Sequence, residues 1–246
     1  MALNVLASGS SATSSAETAT TASFTPTAHA LVFAVVLGQR DNHTQTFAWS
    51  TPTGGLTWSS HATTSTYNFE ASSTYAIQVA SWYATAGASP TSQTLTFDAI
   101  SGSYNCYYSW LVFEITDFDS GATFPQSAVT NGAAVDPKAD NQSGTLTLGS
   151  APTSGNYVVG VFGTGNDVAA AASTPSGFSV IGTAQTQTYT KVNGFYRADT
   201  TATTITSSDL GEDVGNWAGI AFEVKVSGAA QSQAPRSMHI NRMMRG

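Results

Sequence analysis

Charge is scarce in this sequence. Only 9% of its 246 residues are Asp, Glu, Lys or Arg, well under the roughly one quarter usual in globular chains. Solubility has to come from Ser, Thr, Asn and Gln, a surface chemistry that suits extracellular, secreted or virion proteins. The single cysteine, Cys106, excludes an internal disulfide and a zinc cage built of cysteines. Set among aromatic residues, it reads as a small buried strand residue. No apolar run approaches the length of a membrane-spanning helix, so no membrane insertion is expected. The apolar start of MALNVLASGSSATSS has no basic residue ahead of it, and no signal peptide is expected. Helix signals are nearly absent too: residues 168–172 form a short Ala run without an amphipathic stripe.

The few charges are unevenly placed. The formal net charge is −7, yet Arg236, Arg242 and Arg245 lie in an acid-free tail, which leaves the body before them at −10. An acidic body argues against a nucleic-acid partner, which needs clustered Lys and Arg to neutralise phosphates.

What is abundant is strand pattern, and a hydrophobic fraction of 41% can fill a sizeable core. Segments of about five to eight residues rich in Val, Ile, Thr, Tyr, Phe and Trp, separated by Gly, Pro and Asn turns, predict antiparallel sandwiches. Residues 31–38 are almost continuously apolar and predict a central strand covered on both faces. Residues 7–22, a Ser/Thr/Ala tract, read as an extended arm or a polar edge strand. Residues 59–73 are polar and read as a long loop. In residues 107–116, YYSWLVFEIT, Leu111, Phe113 and Ile115 point to one face, and Tyr108, Trp110, Val112 and Glu114 to the other.

The second half repeats the first. Pro152-Thr153 stands before YVVGVF as Pro26-Thr27 stands before LVFAVV; Thr174-Pro175-Ser176-Gly177 answers Thr51-Pro52-Thr53-Gly54; Phe195-Tyr196 answers Trp82-Tyr83. Ile205 matches Leu95, and NWAGIAFEV matches the closing strand, with Phe222-Glu223 answering Phe113-Glu114. The offsets between these landmarks shrink along the chain from 126 through 123 and 113 to 109 residues, as loop deletions would cause. The expected fold is therefore all-β, with two related antiparallel β-sandwich (jelly-roll-like) units in tandem and extended terminal arms. The expected division is an N-terminal arm over 1–22, a first unit over 23–122, a linker over 123–143, a second unit over 144–227 and a basic, Met-rich tail over 228–246.

Candidate chemistry is thin. Glu114 and Glu223 could suggest an acid/base pair, but each occupies the same place in its own repeat, which predicts a structural carboxylate meeting backbone or hydroxyl donors. Asp117-Phe118-Asp119 opens like a calcium loop and residues 209–213 hold three acids. Neither supplies the bidentate Glu that completes such a loop, so solvated turns are expected. His43, His61 and Asp41 match no closed zinc spacing. No nucleophile elbow, phosphate loop or HExxH is present. No catalytic residue, metal or cofactor is expected. Two binding readings stand beside each other. In the tail, Met238, Ile240, Met243 and Met244 interleave with Arg236, Arg242 and Arg245, a mix that needs a partner surface to cover it. In the body, Trp58 and Trp82 belong to a set of aromatics that could stack on sugars as exposed platforms.

The Pro-Thr motif before an apolar strand, the Thr-Pro-x-Gly turn and the closing apolar-Phe-Glu-apolar strand span most of residues 24–226. In these features the chain resembles duplicated β-sandwich structural proteins of tailed bacteriophages, the decoration, head-fibre and tail-associated subunits. The resemblance implies a non-enzymatic virion component, assembled in the host cytoplasm, homo-oligomeric and docked on capsid or tail subunits by its terminal segments. The alternative is a carbohydrate-binding receptor or adhesion module that meets a host surface glycan through Trp58 and Trp82.

Overall fold

The computed structural model describes residues 3–13, 18–40, 47–65, 67–68, 76–100, 105–120, 124, 126–132, 143–165, 172–186, 189–198, 200–208, 210 and 216–227. Among them there is no helix. The strands are β1 (Leu3–Thr13), β2 (Thr18–Thr20), β3 (Leu31–Arg40), β4 (Ala48–Trp49), β5 (Ser59–Thr63), β6 (Tyr67–Asn68), β7 (Ala76–Thr85) and β8 (Thr96–Ile100). They continue with β9 (Cys106–Ile115), β10 (Ser127–Gly132), β11 (Gly144–Thr147), β12 (Tyr157–Gly165), β13 (Ser179–Thr186), β14 (Thr190–Ala198), β15 (Thr204–Ser207) and β16 (Asn216–Val224).

Two antiparallel sandwich units follow one another, as the repeat predicted. In the first, a large sheet of order β1-β9-β3-β7-β5, with β6 added beside β7, faces a small sheet β2-β8-β4. In the second, a large sheet β10-β16-β12-β14-β13 faces β11-β15. The strand order is the same twice, and the registers agree residue by residue. Phe33 pairs with Phe113 and Tyr83, while Val159, 126 residues later, pairs with Phe222 and Tyr196. One landmark shifts. Ala19 pairs with Phe97 where Leu146 pairs with Ile205, so Ile205 takes the place of Phe97 rather than Leu95.

The polar segments depart most from the sequence reading. Most of the expected arm over 1–22 is strand: β1 pairs along β9 and β2 along β8, which selects the edge-strand reading for the described parts of the 7–22 tract, residues 7–13 and 18–20. Inside the expected linker over 123–143, β10 pairs with β16 and completes the second large sheet. Residues 59–63, expected in a loop, are the edge strand β5. All three are sheet edges. An edge strand is held by backbone hydrogen bonds along one side and can be almost wholly Ser and Thr without apolar alternation.

The large sheets are buried on both faces. On one face Leu31, Phe33, Val35, Leu111, Phe113 and Ile115 meet Tyr157, Val159, Val161, Ile220, Phe222 and Val224 in a central core common to both units. On the other face Val32, Val36, Trp110 and Val112 pack under the small sheet with Leu95 and Phe97. Val158, Phe162 and Ala221 do the same with Leu146 and Ile205. The alternation read from the closing strand is therefore correct, and the face opposite the central core is roofed rather than solvated. β3 sits in the middle of its sheet with every residue buried, as a strand covered on two sides requires.

Across the central core β1 lies over β13 as β10 lies over β5, β9 over β14 as β16 over β7, and β3 meets β12. Exchanging the units leaves this pattern unchanged, so the units meet as a two-fold related pair would. The fit still has local asymmetry. Leu37 stands where the second unit has Gly163, and a Cβ at Gly163 would lie 2.7 Å from Val79 Cγ2 and 3.0 Å from Leu37 Cδ1. The missing side chain makes room for the opposite unit. Gly163→Ala should destabilise the protein by about 1–3 kcal/mol through overpacking. In a Val79→Ala background, where the nearest obstructing methyl is gone, the cost should be smaller by about 1 kcal/mol. Denaturant melts of the four proteins in this cycle measure that coupling.

Candidate functional site

The two glutamates that first suggested acid/base chemistry are bound up in the backbone. Glu114 is buried one residue from the end of β9, opposite Val32. The Thr27 N–H donates to its Oε2 at 2.7 Å, the Thr27 hydroxyl to Oε1 at 2.7 Å, and the Asn4 amide to Oε1 at 3.3 Å. Glu223 repeats the arrangement. It accepts from the Thr153 N–H at 2.8 Å, the Asn156 side-chain amide at 2.6 Å and the Gln126 amide at 2.8 Å. In both units the Pro-Thr turn closes by an N–H from the third residue onward, Ala30 to Thr27 O and Asn156 to Thr153 O. The residue before that donor is left-handed, with φ of 60° at His29 and 89° at Gly155. Each carboxylate thus fastens the loop that leads into the central strand to the end of the closing strand. These are structural clasps, one per unit, in line with the sequence reading.

Trp58 and Trp82 correct a sequence expectation. They are 7% and 3% exposed and lie in the outer core of the first unit with Phe97 and Ala84, so neither offers a ring face to a sugar. The reason is architectural: the second face of the large sheet, which a two-layer sandwich would leave to solvent, is roofed by β2, β8 and β4. The tail residues Arg236, Met238, Ile240, Arg242, Met243, Met244 and Arg245 lie outside the described residues, as do Asp209, Glu212 and Asp213. Asp119 ion-pairs with Lys225 at 2.9 Å, and Asp117 Oδ2 accepts from the Tyr157 hydroxyl at 3.4 Å. Burial and the nearby Asp117 together hold that hydroxyl above its ordinary pKa. Among the described residues no three His, Cys, Asp or Glu side chains gather.

Cys106 is buried and in no disulfide, as its setting predicted. Beside it Tyr108 is buried, and its pKa is raised first by desolvation and then by the Cys106 thiol. Arg40, also buried, donates to Ala99 O and lies 4.5 Å from the centre of the Phe47 ring.

Two features have a setting that the sequence did not show. The first is His61, weighed in the sequence only as a zinc ligand with Asp41 and His43, which lie outside the described residues; it is the extra residue of a bulge in β5 between Ser60 and Ala62. Its ring sits at the seam of the units, 4.7 Å from Phe222, 4.8 Å from Phe124, 5.9 Å from Phe33 and 6.4 Å from Tyr83. Nδ1 lies 3.0 Å from Ser81 Oγ, whose proton goes to Ala62 O at 3.1 Å. That network assigns the imidazole proton to Nδ1 and leaves Nε2 bare in an aromatic box. Charging the ring would bury an N–H with no acceptor, and desolvation lowers its pKa from 6.5 to about 4. The pseudo-symmetric bulge of β13 carries Ile181, so the box is apolar by design in the other unit. The second feature is a cleft of about 310 Å³ lined by Leu3, Gly177, Ser179, Tyr196, Arg197 and Ala198. The Phe-Tyr-Arg-Ala string was visible as a repeat of Trp-Tyr-Ala-Thr, and the one signal it carried was an Arg where the first unit has Ala84.

Glu223→Ala should cost about 2–4 kcal/mol, because buried donors lose their acceptor, whereas Thr27→Val, which keeps the backbone donor, should cost about 1 kcal/mol; equilibrium denaturation measures both. His61 makes stability pH-dependent. The unfolded ring takes a proton near pH 6.5 and the folded ring only near pH 4, so this contribution is complete above pH 6.5 and lost as pH falls. On the order of 2 kcal/mol should disappear between pH 7 and pH 5, and His61→Leu should flatten that stretch of the profile.

No family model, no curated protein and no solved structure matches this chain.

Proposed function

We propose that this protein is a non-enzymatic structural subunit of a phage virion or phage-like particle, held to neighbouring capsid or tail subunits by its basic, Met-rich C-terminal segment. The observation that carries the reading is the way the described body closes. After β16, Val226 bridges to Phe118, the Asp119 N–H donates to Lys225 O at 2.7 Å, the Ser227 N–H donates to Asp117 O at 2.8 Å, and Lys225 ion-pairs with Asp119. The body is tied off at this point. Immediately beyond it begins a segment whose three arginines, Met238, Ile240, Met243 and Met244 contrast with an acidic, hydroxyl-rich body.

Further support comes from how the body's groups are used. Its two strand glutamates serve as clasps, and its large tryptophans fill the core. A partner carrying an acidic, partly apolar groove would suit the tail: arginines at the rim make charge-assisted contacts, and methionines adapt to an irregular surface. Homo-oligomers of such subunits would present the paired sandwiches outward.

Deleting residues 236–246 should leave the circular dichroism spectrum and melting midpoint of the body unchanged, because its last described contacts are made by residues 225–227. The same deletion should abolish incorporation into particles assembled in the host. Normal incorporation of the truncated chain refutes the anchor.

A further inference from the structure

Of the cations in the described residues, the fold engages all but one. Arg40 is buried against Phe47 and Ala99 O, Lys191 is buried in β14 with its pKa lowered by desolvation, and Lys225 is paired with Asp119. Arg197 remains. Among the described residues no hydrogen bond or ion pair reaches its guanidinium. It is half-buried beside the turn at Gly177, whose φ is 77° and where a Cβ would come within 2.6 Å of Nη1. The turn has no side chain at the point where the guanidinium rests.

Around it lies the 310 Å³ cleft, at the lower end of the size range of small-molecule sites. The Tyr196 ring, the Leu3 side chain and the exposed Ser179 complete its lining. The registers place Tyr83, Ala84 and Ser59 at the matching positions of the first unit, so the repeat there has the tyrosine and the serine without the cation. The large hydrophobics exposed among the described residues, Val5 and Val180, lie on β1 and β13 just beyond Leu3 and Ser179. A polar cleft with one unengaged guanidinium, an aromatic wall and an apolar margin is suited to a small anion with an apolar face.

We propose that this cleft binds a carboxylated ligand of monosaccharide size, in the class of a uronic acid. The carboxylate would be held by the Arg197 fork, the ring face would lie on Tyr196 and Leu3, and ring hydroxyls would meet Ser179. Arg is the side chain whose planar donors match a carboxylate in two parallel hydrogen bonds, and aromatic walls favour the C–H face of a sugar. The site is independent of the virion reading and lies apart from the buried tryptophans.

The test is a titration of the intact, isotope-labelled protein with glucuronate, followed by amide chemical shifts. Expected are saturable shifts at residues 177–179 and 196–198, no response to glucose, a response to acetate about tenfold weaker, and loss of at least about tenfold in affinity in Arg197→Gln with an unchanged melting midpoint. A second measurement needs no variant: glucuronate should slow phenylglyoxal modification of Arg197, read by peptide mass mapping, and leave the buried Arg40 unaffected. The proposal is overturned by the absence of shifts, by an undiminished response in a folded Arg197→Gln protein, by modification of Arg197 at the same rate with and without glucuronate, or by acetate binding as well as glucuronate, which would mark an adventitious ion only.

Discussion

The architecture depends on β3 and β12 being covered on both faces. A strand of continuous Leu, Val, Phe and Ala cannot leave either side to water, so each large sheet needs two covers. One cover is local, the small sheet of the same unit. The other is the opposite unit, whose own central strand has the same need. The two demands meet in one core that runs from Phe33 and Phe113 to Val159 and Phe222. Separating the units would expose that whole layer to water, at a cost of about 25 cal/mol per Å² of apolar surface. The chain is duplicated in sequence, yet its units share one core. The contact between them is isologous, the same surface used twice, as in a symmetric dimer.

This explains which parts were legible beforehand. Strands with strong apolar content were legible, β9 with its facing and β3 as covered on both sides, because buried faces write a pattern into the sequence. The repeat was legible for the same reason: Phe113-Glu114 and Phe222-Glu223 recur at one register. The clasp role of the glutamates followed from that recurrence, although their donors did not. Polar edges were illegible in kind. β1, β5 and β10 are defined by backbone pairing with a neighbour, and SGSSAT is compatible with strand, loop or arm until the neighbour is known. The misplacement of Trp58 and Trp82 has another origin. A count of aromatics does not reveal how many layers a sandwich has, and a roof of β2, β8 and β4 turns a platform into a core.

The clasps show what low charge does to a fold. With so few ionisable groups, a carboxylate buried at a strand end is an expensive choice unless it is saturated, since an unsatisfied buried carboxylate costs several kcal/mol. Both units saturate it, with different donors. Thr27 supplies a hydroxyl in the first, while Asn156 supplies an amide in the second and also accepts the Val226 N–H at 3.2 Å. What is kept between the copies is the acceptor and the backbone donor of the Pro-Thr turn. The remaining donors are interchangeable because any short polar side chain near the turn can reach the two oxygens.

Some departures from the two-fold pattern serve the fit of the units, as at Gly163 opposite Leu37; two others are not explained by that fit. His61 opposite Ile181 introduces a titratable group into a box that its counterpart fills with hydrocarbon, and the bare Nε2 makes the first unit's edge the acid-sensitive side of the seam. Arg197 opposite Ala84 adds a cation where the repeat needs none: Ala84 is buried without consequence for its strand, and the β14 register would accommodate alanine equally well. Neither side chain is required by the strand order, the central core or the clasps. Neither side chain repeats in the other copy, so any use they have is separate from the duplicated scaffold. On the proposal made above, Arg197, whose charge is permanent, meets an anion, whereas His61 responds to solvent acidity.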